Sequence, residues 1–322
     1  MQLTDLHILR DIQGWMQDRH SFWLCTILAT YGSSPRPVGS LFAWNGSQRL
    51  GSISGGCLED AFIQKLECGF IKRFPQVTTY GKDLVDNDIT IELPCGGSIK
   101  LLVEHYTPSH YHLLNTFIDS ANQKRPFHKV IDLHSGDIHY YDDTEVSSLQ
   151  SEPSEQIIHI HYQQVTQLLI LGISQVSEWV AKLGLMAGFC VKICDMREEL
   201  AQSWNVPATE QYEAVEVIWR SPDLFVEEYI TDNTAVLALA HDPRIDDLGL
   251  MAALELNPFY VGAMGSQLTT QKRVKRLEGV GGIGQEDMKK LKAPIGLAIN
   301  SKTPFEIAIS VIADIIATKN RG

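Results

Sequence analysis

Along the first twenty residues, Leu6, Leu9, Ile12, Trp15 and Met16 recur at the spacing of one helical face, which predicts an amphipathic N-terminal helix. At Phe22 the period changes. The runs "FWLCTILAT" (22–30), "SLFAW" (40–44) and "RLGSIS" (49–54) are short and β-prone, and "GSSPRPVG" and "NGS" separate them, so they read as strands joined by turns. A helix is predicted over 57–73. "DITIEL" (88–93) and "SIKLLVE" (98–104) flank "PCGG" as a strand pair, a helix follows over 110–122, and "HKVIDL" and "DIHYY" give weaker strands.

The polar stretch 142–156, "DDTEVSSLQSEPSEQ", has no apolar period and reads as a linker or excursion. Beyond it the pattern changes class. "QLLILGISQVSEWVAKLGLMAGFCVKICD" (167–195) is a buried strand, a turn at Gly172, a helix, and a second strand ending in Asp195. That is the opening of a dinucleotide-type βαβ unit, in which the turn faces a phosphate and the terminal acid faces a ribose. Against G-x-G-x-x-G the chain offers Gly172, Ser174 and Ser177, so two glycines are replaced. "TAVLALA" (234–240) and "FYVGAM" (259–264) add apolar strands, and Thr303, Pro304 and Glu306 form a capping box ahead of the apolar face of Ile307, Val311, Ile312 and Ile315. That last helix closes the domain or pairs with a copy of itself. The expected fold is α/β, with a mixed α+β domain over 1–150 and a Rossmann-like parallel-sheet domain over 165–322.

Composition narrows the function classes. In 322 residues, 44% hydrophobic and 20% charged, a net charge of −12 argues against a nucleic-acid binder, and the basic run "QKRVKR" (271–276) reads as a solvated helix face. No apolar run approaches a membrane span, and no basic-then-apolar leader opens the chain, so a cytoplasmic location is expected. The six cysteines lack disulfide-scaffold density. No C-x-x-C, H-E-x-x-H or G-x-S-x-G occurs. Cys190 and Cys194 lie too far apart along a strand to chelate, and His159 and His161 read as a surface strand, so neither a metal site nor a catalytic residue is assigned.

What remains is a set of glycine-rich loops: "GSSPRPVG" (32–39), "SGGCLED" (54–60), "PCGGS" (94–98), "HDPRIDD" (241–247) and "GAMGS" (262–266). They offer backbone N–H donors, the Arg36 guanidinium and two soft thiols, Cys57 and Cys95, which suits a ligand with phosphate and sulfur character. Cys57 follows Gly55 and Gly56 at a predicted helix start, where unpaired N–H groups favour a thiolate; the alternative is a tight turn with a small buried thiol.

These motifs carry a resemblance. "GSSPRPVGS", "GSISGGCLED" and "CGGSIKLLVE" resemble the N-terminal domain of the XdhC/CoxI family of molybdenum-cofactor chaperones, and "HDPRIDD", "YVGAMGS" and "PIGLAINSKTPFEIAISVIADI" resemble its Rossmann-like C-terminal domain. The chain departs from the family's usual pattern at "GISQVS" and "GLAIN". The resemblance implies a protein that binds the molybdenum cofactor as cargo, as molybdopterin or its dinucleotide form, and supports its sulfuration. It also implies insertion into an apo-molybdoenzyme of the xanthine dehydrogenase/aldehyde oxidase class, without turnover of a substrate. A cysteine desulfurase, a cofactor nucleotidyltransferase and a second copy of the chain are further implied partners. The implied cofactor-binding residues are Arg36, Gly55, Gly56, Cys57, Glu59, Cys95, Gly96 and Gly97 in the first domain, and His241, Asp242, Gly265 and Ser266 in the second. The rival readings are an NAD(P)-dependent oxidoreductase, which the βαβ unit and Asp195 favour, and a regulatory module without cofactor.

Overall fold

A computed structural model describes residues 3–32, 36–56, 58–69, 75–81, 97–123, 126–142, 156–209 and 212–321. The chain divides into two compact units, Met1–Gln164 and Val165–Gly322.

The first unit opens with α1 (Leu3–Gln17), followed by β1 (Phe22–Tyr31), β2 (Leu41–Trp44), β3 (Arg49–Gly51), α2 (Glu59–Glu67), β4 (Gln76–Gly81), β5 (Ser98–Tyr106) and α3 (Tyr111–Asn122). β6 (Phe127–Asp132), β7 (Ile138–Asp142) and β8 (Ile157–Tyr162) complete it. The first five strands form one antiparallel sheet in the order β3-β2-β1-β5-β4, and the last three form a second sheet, β7-β6-β8. β1 reads as an unbroken apolar run because both faces of its sheet are covered. Phe22 and Leu24 face Leu9, Ile12 and Met16 of α1 and Phe117 of α3, whereas Cys25 and Ile27 lie with Phe62 and Leu66 of α2 in the opposite core. Across the first core, the buried Lys129 ammonium of β6 is bound by both carboxylate oxygens of Glu104 on β5, at 2.7 Å each. His159 and His161 are exposed on β8, as the surface-strand reading expects.

Two boundaries differ from expectation. α2 stops at Glu67, not Arg73: Cys68 is its C-cap, and Gly69, at φ +68°, donates its N–H to the Leu66 carbonyl, the left-handed termination that glycine permits. β3 ends at Gly51 rather than running to Ser54. Gly51 has φ +73°, and a Cβ there would lie 2.3 Å from the Leu41 carbonyl oxygen. The predicted strand over 88–93 and most of the 142–156 stretch lie outside the described residues.

The second unit runs β9 (Gln167–Leu171), α4 (Gln175–Met186), β10 (Cys190–Asp195), β11 (Val217–Trp219), α5 (Pro222–Tyr229), β12 (Thr234–Ala238), α6 (Pro243–Leu256), β13 (Tyr260–Ala263), α7 (Gln267–Gly279), α8 (Gln285–Met288), β14 (Leu291–Lys292) and α9 (Pro304–Lys319). Its six strands are parallel in the order β11-β10-β9-β12-β13-β14, so the order reverses between β9 and β12. This is the doubly wound arrangement that the βαβ pattern predicts. α9 begins as its capping box predicts. The Thr303 hydroxyl accepts from the Glu306 N–H at 3.2 Å, and the Glu306 carboxylate accepts from the Thr303 N–H at 3.1 Å.

Candidate functional site

Register places three loops of the first unit at one end of its five-stranded sheet. Tyr31, the last residue of β1, and Gly81, the last of β4, both pair with Ser98, the first of β5. β3 runs toward the same end and stops at Gly51 opposite Phe42. The segments carrying Arg36, carrying Gly55 and Gly56, and ending at Gly97 therefore leave or re-enter the sheet together. Gly32 and Gly97 make this close approach feasible: a Cβ on Gly97 would lie 2.4 Å from the Tyr31 carbonyl oxygen. Cys57, Cys95 and Gly96 lie outside the described residues. At the foot of the first of these loops, Ser40 is 5% exposed and its hydroxyl has no hydrogen-bond partner among the described residues.

Glu59 organises the second loop from within. Its Oε1 accepts from the Ser52 hydroxyl at 2.5 Å and from the Ile53 and Ser54 N–H groups at 2.8 and 3.0 Å. Its Oε2 accepts from the Ser54 hydroxyl at 2.6 Å and from the Gly56 and Leu58 N–H groups at 3.0 and 3.2 Å. Burial alone would raise the carboxyl pKa, but the Ser52 and Ser54 hydroxyls and the Ser54 amide outweigh it and lower the value to about 2. The Gly55 N–H is occupied as well, by the Ser52 hydroxyl at 2.9 Å. These amides, which the sequence suggested as phosphate donors, thus point inward at the loop's own oxygens. The positive end of α2 is likewise engaged by an ionised carboxylate, which weakens the electrostatic case for a thiolate beside it.

In the second unit the dinucleotide expectation needs correction. The carboxylate of Asp195, fully buried, does not face an open ribose site. It accepts from the Ile173 N–H at 2.6 Å, from the Arg197 N–H at 2.8 Å, and from the Arg197 guanidinium at 2.7 and 3.0 Å. Ser174 caps α4 by accepting from the Ser177 N–H, and the Ser177 hydroxyl donates to the Gly172 carbonyl at 2.6 Å. Gly172, at φ +89°, packs so closely on the turn after β12 that a Cβ would lie 2.1 Å from the Ala240 Cβ. On that side the turn is packed against the protein itself.

"QKRVKR" is also not a purely solvated face. Arg273, 2% exposed, binds Asp246 at 2.9 Å and the Met264 carbonyl at 3.0 Å, while Arg276 binds Asp247 at 2.5 Å. These contacts hold the "HDPRIDD" and "GAMGS" loops together beside a cleft of about 650 Å³. His241, Gly265 and Ser266 line the cleft, with Ser174, Gln175, Lys302 and Ile307 among the other lining residues. Desolvation and then the Arg273 guanidinium lower the His241 pKa, so its imidazole is neutral at pH 7. Asp242 does not line the cleft. It caps α6 and is paired with Arg244 at 2.6 Å, and that guanidinium lowers its pKa to about 2.

The sequence reading missed Ser52 and Ser54, which support the Glu59 carboxylate, and also Arg197 and Lys302. The only signal for the first pair was two serines and two glycines immediately ahead of an acid in a first helical turn. Among the described residues no group of three or more His, Cys, Asp or Glu side chains is arranged to hold a metal ion, and no helix is long and apolar enough to cross a membrane.

Comparison with known proteins follows this division into two units. Residues 15–80 match a family model described as the XdhC and CoxI family, and residues 168–315 match one described as the XdhC Rossmann domain. The molybdenum cofactor insertion chaperone PaoD of Escherichia coli (strain K12) is 26% identical over 98% of this chain and 90% of its own length. A protein of Bacillus subtilis (strain 168), named as a probable xanthine dehydrogenase subunit, is 25% identical over 99% of both chains. A crystal structure described as a xanthine dehydrogenase from Bacillus halodurans shares the fold, with a TM-score of 0.73 at 21% identity over 99% of this chain and 96% of that one. With both of the family's parts matched in chain order, the chain belongs to the XdhC and CoxI family.

Proposed function

We propose that this protein is a chaperone that binds the molybdenum cofactor as cargo, protects it, supports its sulfuration and inserts it into an apo-molybdoenzyme of the xanthine dehydrogenase/aldehyde oxidase class. The observation that carries the reading is the gathering of three glycine-rich loops at one end of the first sheet, in a chain that aligns nearly end to end with a named insertion chaperone. Arg36 supplies a guanidinium for the cofactor's phosphate, and Gly55, Gly56, Gly96 and Gly97 allow close approach of the backbone. Cys57 and Cys95 supply soft thiols toward the cofactor's sulfur and metal. Glu59 acts on the loop rather than on the cargo, by fixing the backbone from Ser52 to Leu58.

Handing over a cargo requires that it be bound less tightly once the client docks, because only differential binding between two states can drive release. Cofactor-loaded protein should therefore activate a cognate apo-enzyme faster than free cofactor does, and Cys57→Ala and Cys95→Ala should each retain less cofactor with the fold intact. Equal activation by free cofactor would replace insertion with storage. A cytoplasmic site of action, with a cysteine desulfurase and a cofactor nucleotidyltransferase as donors and a homodimer as the working form, completes the proposal.

A further inference from the structure

We infer that the outer face of the three-stranded sheet β7-β6-β8 carries a site for a divalent transition-metal ion of the copper, nickel or zinc class, chelated by the cross-strand imidazole pair His128 and His161. The inference goes beyond the chaperone reading and stands whether or not the loops of the first unit hold the cargo.

The first ground is placement. Side chains alternate across each strand: Phe127, Ile131, Tyr140, Ile160 and Tyr162 join the first core, and the residues between them lie on the other face. Register then fixes what stands beside what. His128 on the central strand is directly opposite His161 of β8 and Tyr141 of β7, and Val130, next on the same face, is opposite His159 and His139. Four of the eleven histidines of the chain thus share one small sheet face.

The second ground is geometry. The His128 and His161 rings stack with centroids 4.6 Å apart and planes 15° from parallel. An ion bound at about 2.0–2.1 Å to each of two imidazole nitrogens needs those nitrogens about 3–4 Å apart, and rings at this separation reach that by turning about the Cβ–Cγ bond. The ladder already holds the two backbones in register, so the ion has little ordering left to impose. His161 is exposed and His128 half-buried, which leaves the pair open to solvent.

The third ground is chemistry. Imidazole suits copper, nickel and zinc, whereas calcium and magnesium take oxygen ligands. The carboxylate that alternation puts on this face, Asp132, lies beyond Val130 and opposite Ile157, and its Oδ1 accepts from the His134 and Ser135 amides. His159 and His139 stand diagonally from His128, at about 7–8 Å, and among the described residues no third such side chain is arranged with the pair. The protein therefore supplies two ligands, water completes the set, and the bound ion is exchangeable rather than structural.

Calorimetric titration of the untagged full chain with NiCl₂ in a non-chelating buffer tests this. Wild type should show a saturable event that His128→Gln and His161→Gln each weaken by about tenfold or more, and that His139→Gln leaves within about threefold. All three substitutions lie on the solvent face, so metal-free unfolding temperatures should match wild type. Nitrogen-15 spectra of the wild-type histidines need no variant: Zn²⁺ should shift the His128 and His161 imidazoles together, ahead of the others. No saturable Ni²⁺ event, equal binding by wild type and His128→Gln, equal weakening by His139→Gln, or Zn²⁺ shifts confined to other histidines would each overturn the inference. None of these readouts involves the cofactor, so their failure is distinct from failure of the cargo reading.

Discussion

Replacing Glu59 by glutamine keeps the side chain's shape and removes its charge and one acceptor oxygen. In the wild type each oxygen receives one hydroxyl and two backbone amides. If the new NH₂ group takes the Oε2 position, the Ser54 hydroxyl can turn and accept from it, but the Gly56 and Leu58 amides cannot. The Gly56 amide then loses its acceptor, whereas the Leu58 amide keeps the Ser54 hydroxyl oxygen at 2.8 Å, so the loss is about 1–2 kcal/mol. Hydrogen exchange of the full-length chain should show this as a roughly 5- to 30-fold loss of protection at Ile53, Ser54, Gly56 and Leu58, taking about 1.4 kcal/mol per tenfold. The pH dependence follows from the same geometry. A folded pKa of about 2 lies below the roughly 4.3 of an unfolded glutamate, so Glu59 contributes at most about 3 kcal/mol. That contribution is fully present above about pH 5 and is lost as the pH falls toward 2, and the Gln variant should show a correspondingly flatter acid limb. Protection within a factor of about 3 of wild type, or an unchanged acid limb, would refute the claim that this carboxylate holds the loop.

Lys129→Met should lower stability by about 3–5 kcal/mol in thermal unfolding, because it leaves the Glu104 carboxylate buried without a counter-charge; Glu104→Gln in the same background should recover much of the loss, and additive losses would argue against the coupling. Gly172→Ala should cost about 3 kcal/mol or more in thermal unfolding, from its φ of +89° and the Ala240 contact, and Ala240→Gly should restore little of it, because the Ala240 Cα and N would still lie 2.6 and 3.0 Å from the new Cβ. NAD should give no saturable calorimetric signal at micromolar concentration with wild type, since Asp195 and Ile173 are already paired; a clear signal would promote the oxidoreductase reading.

Features governed by local period were legible in the sequence. The βαβ run, the capping box at Thr303 and the doubly apolar β1 each follow from neighbours close in the chain. Cys68–Gly69 was also a legible helix stop that the long amphipathic pattern concealed. What escaped depended on where a side chain's oxygens go in space. Asp195 looks like a ribose acceptor in one dimension, but the backbone brings the Ile173 amide and Arg197 to it, and its acceptor capacity is filled. Glu59 looks like an ordinary acid in a first helical turn until the chain from Ser52 to Leu58 wraps around it. Arg273 sits in a basic run that reads as solvated, and becomes buried because Asp246, distant in sequence, is buried opposite it.

The central claim is that the loops at one end of the first sheet hold the molybdenum cofactor, and anaerobic titration of the protein with that cofactor tests it most directly. Wild type should retain about one cofactor per chain through gel filtration, and Arg36→Ala, Cys57→Ala and Cys95→Ala should each retain measurably less. Equal retention by wild type and all three variants, or no retention by any of them, would contradict the account.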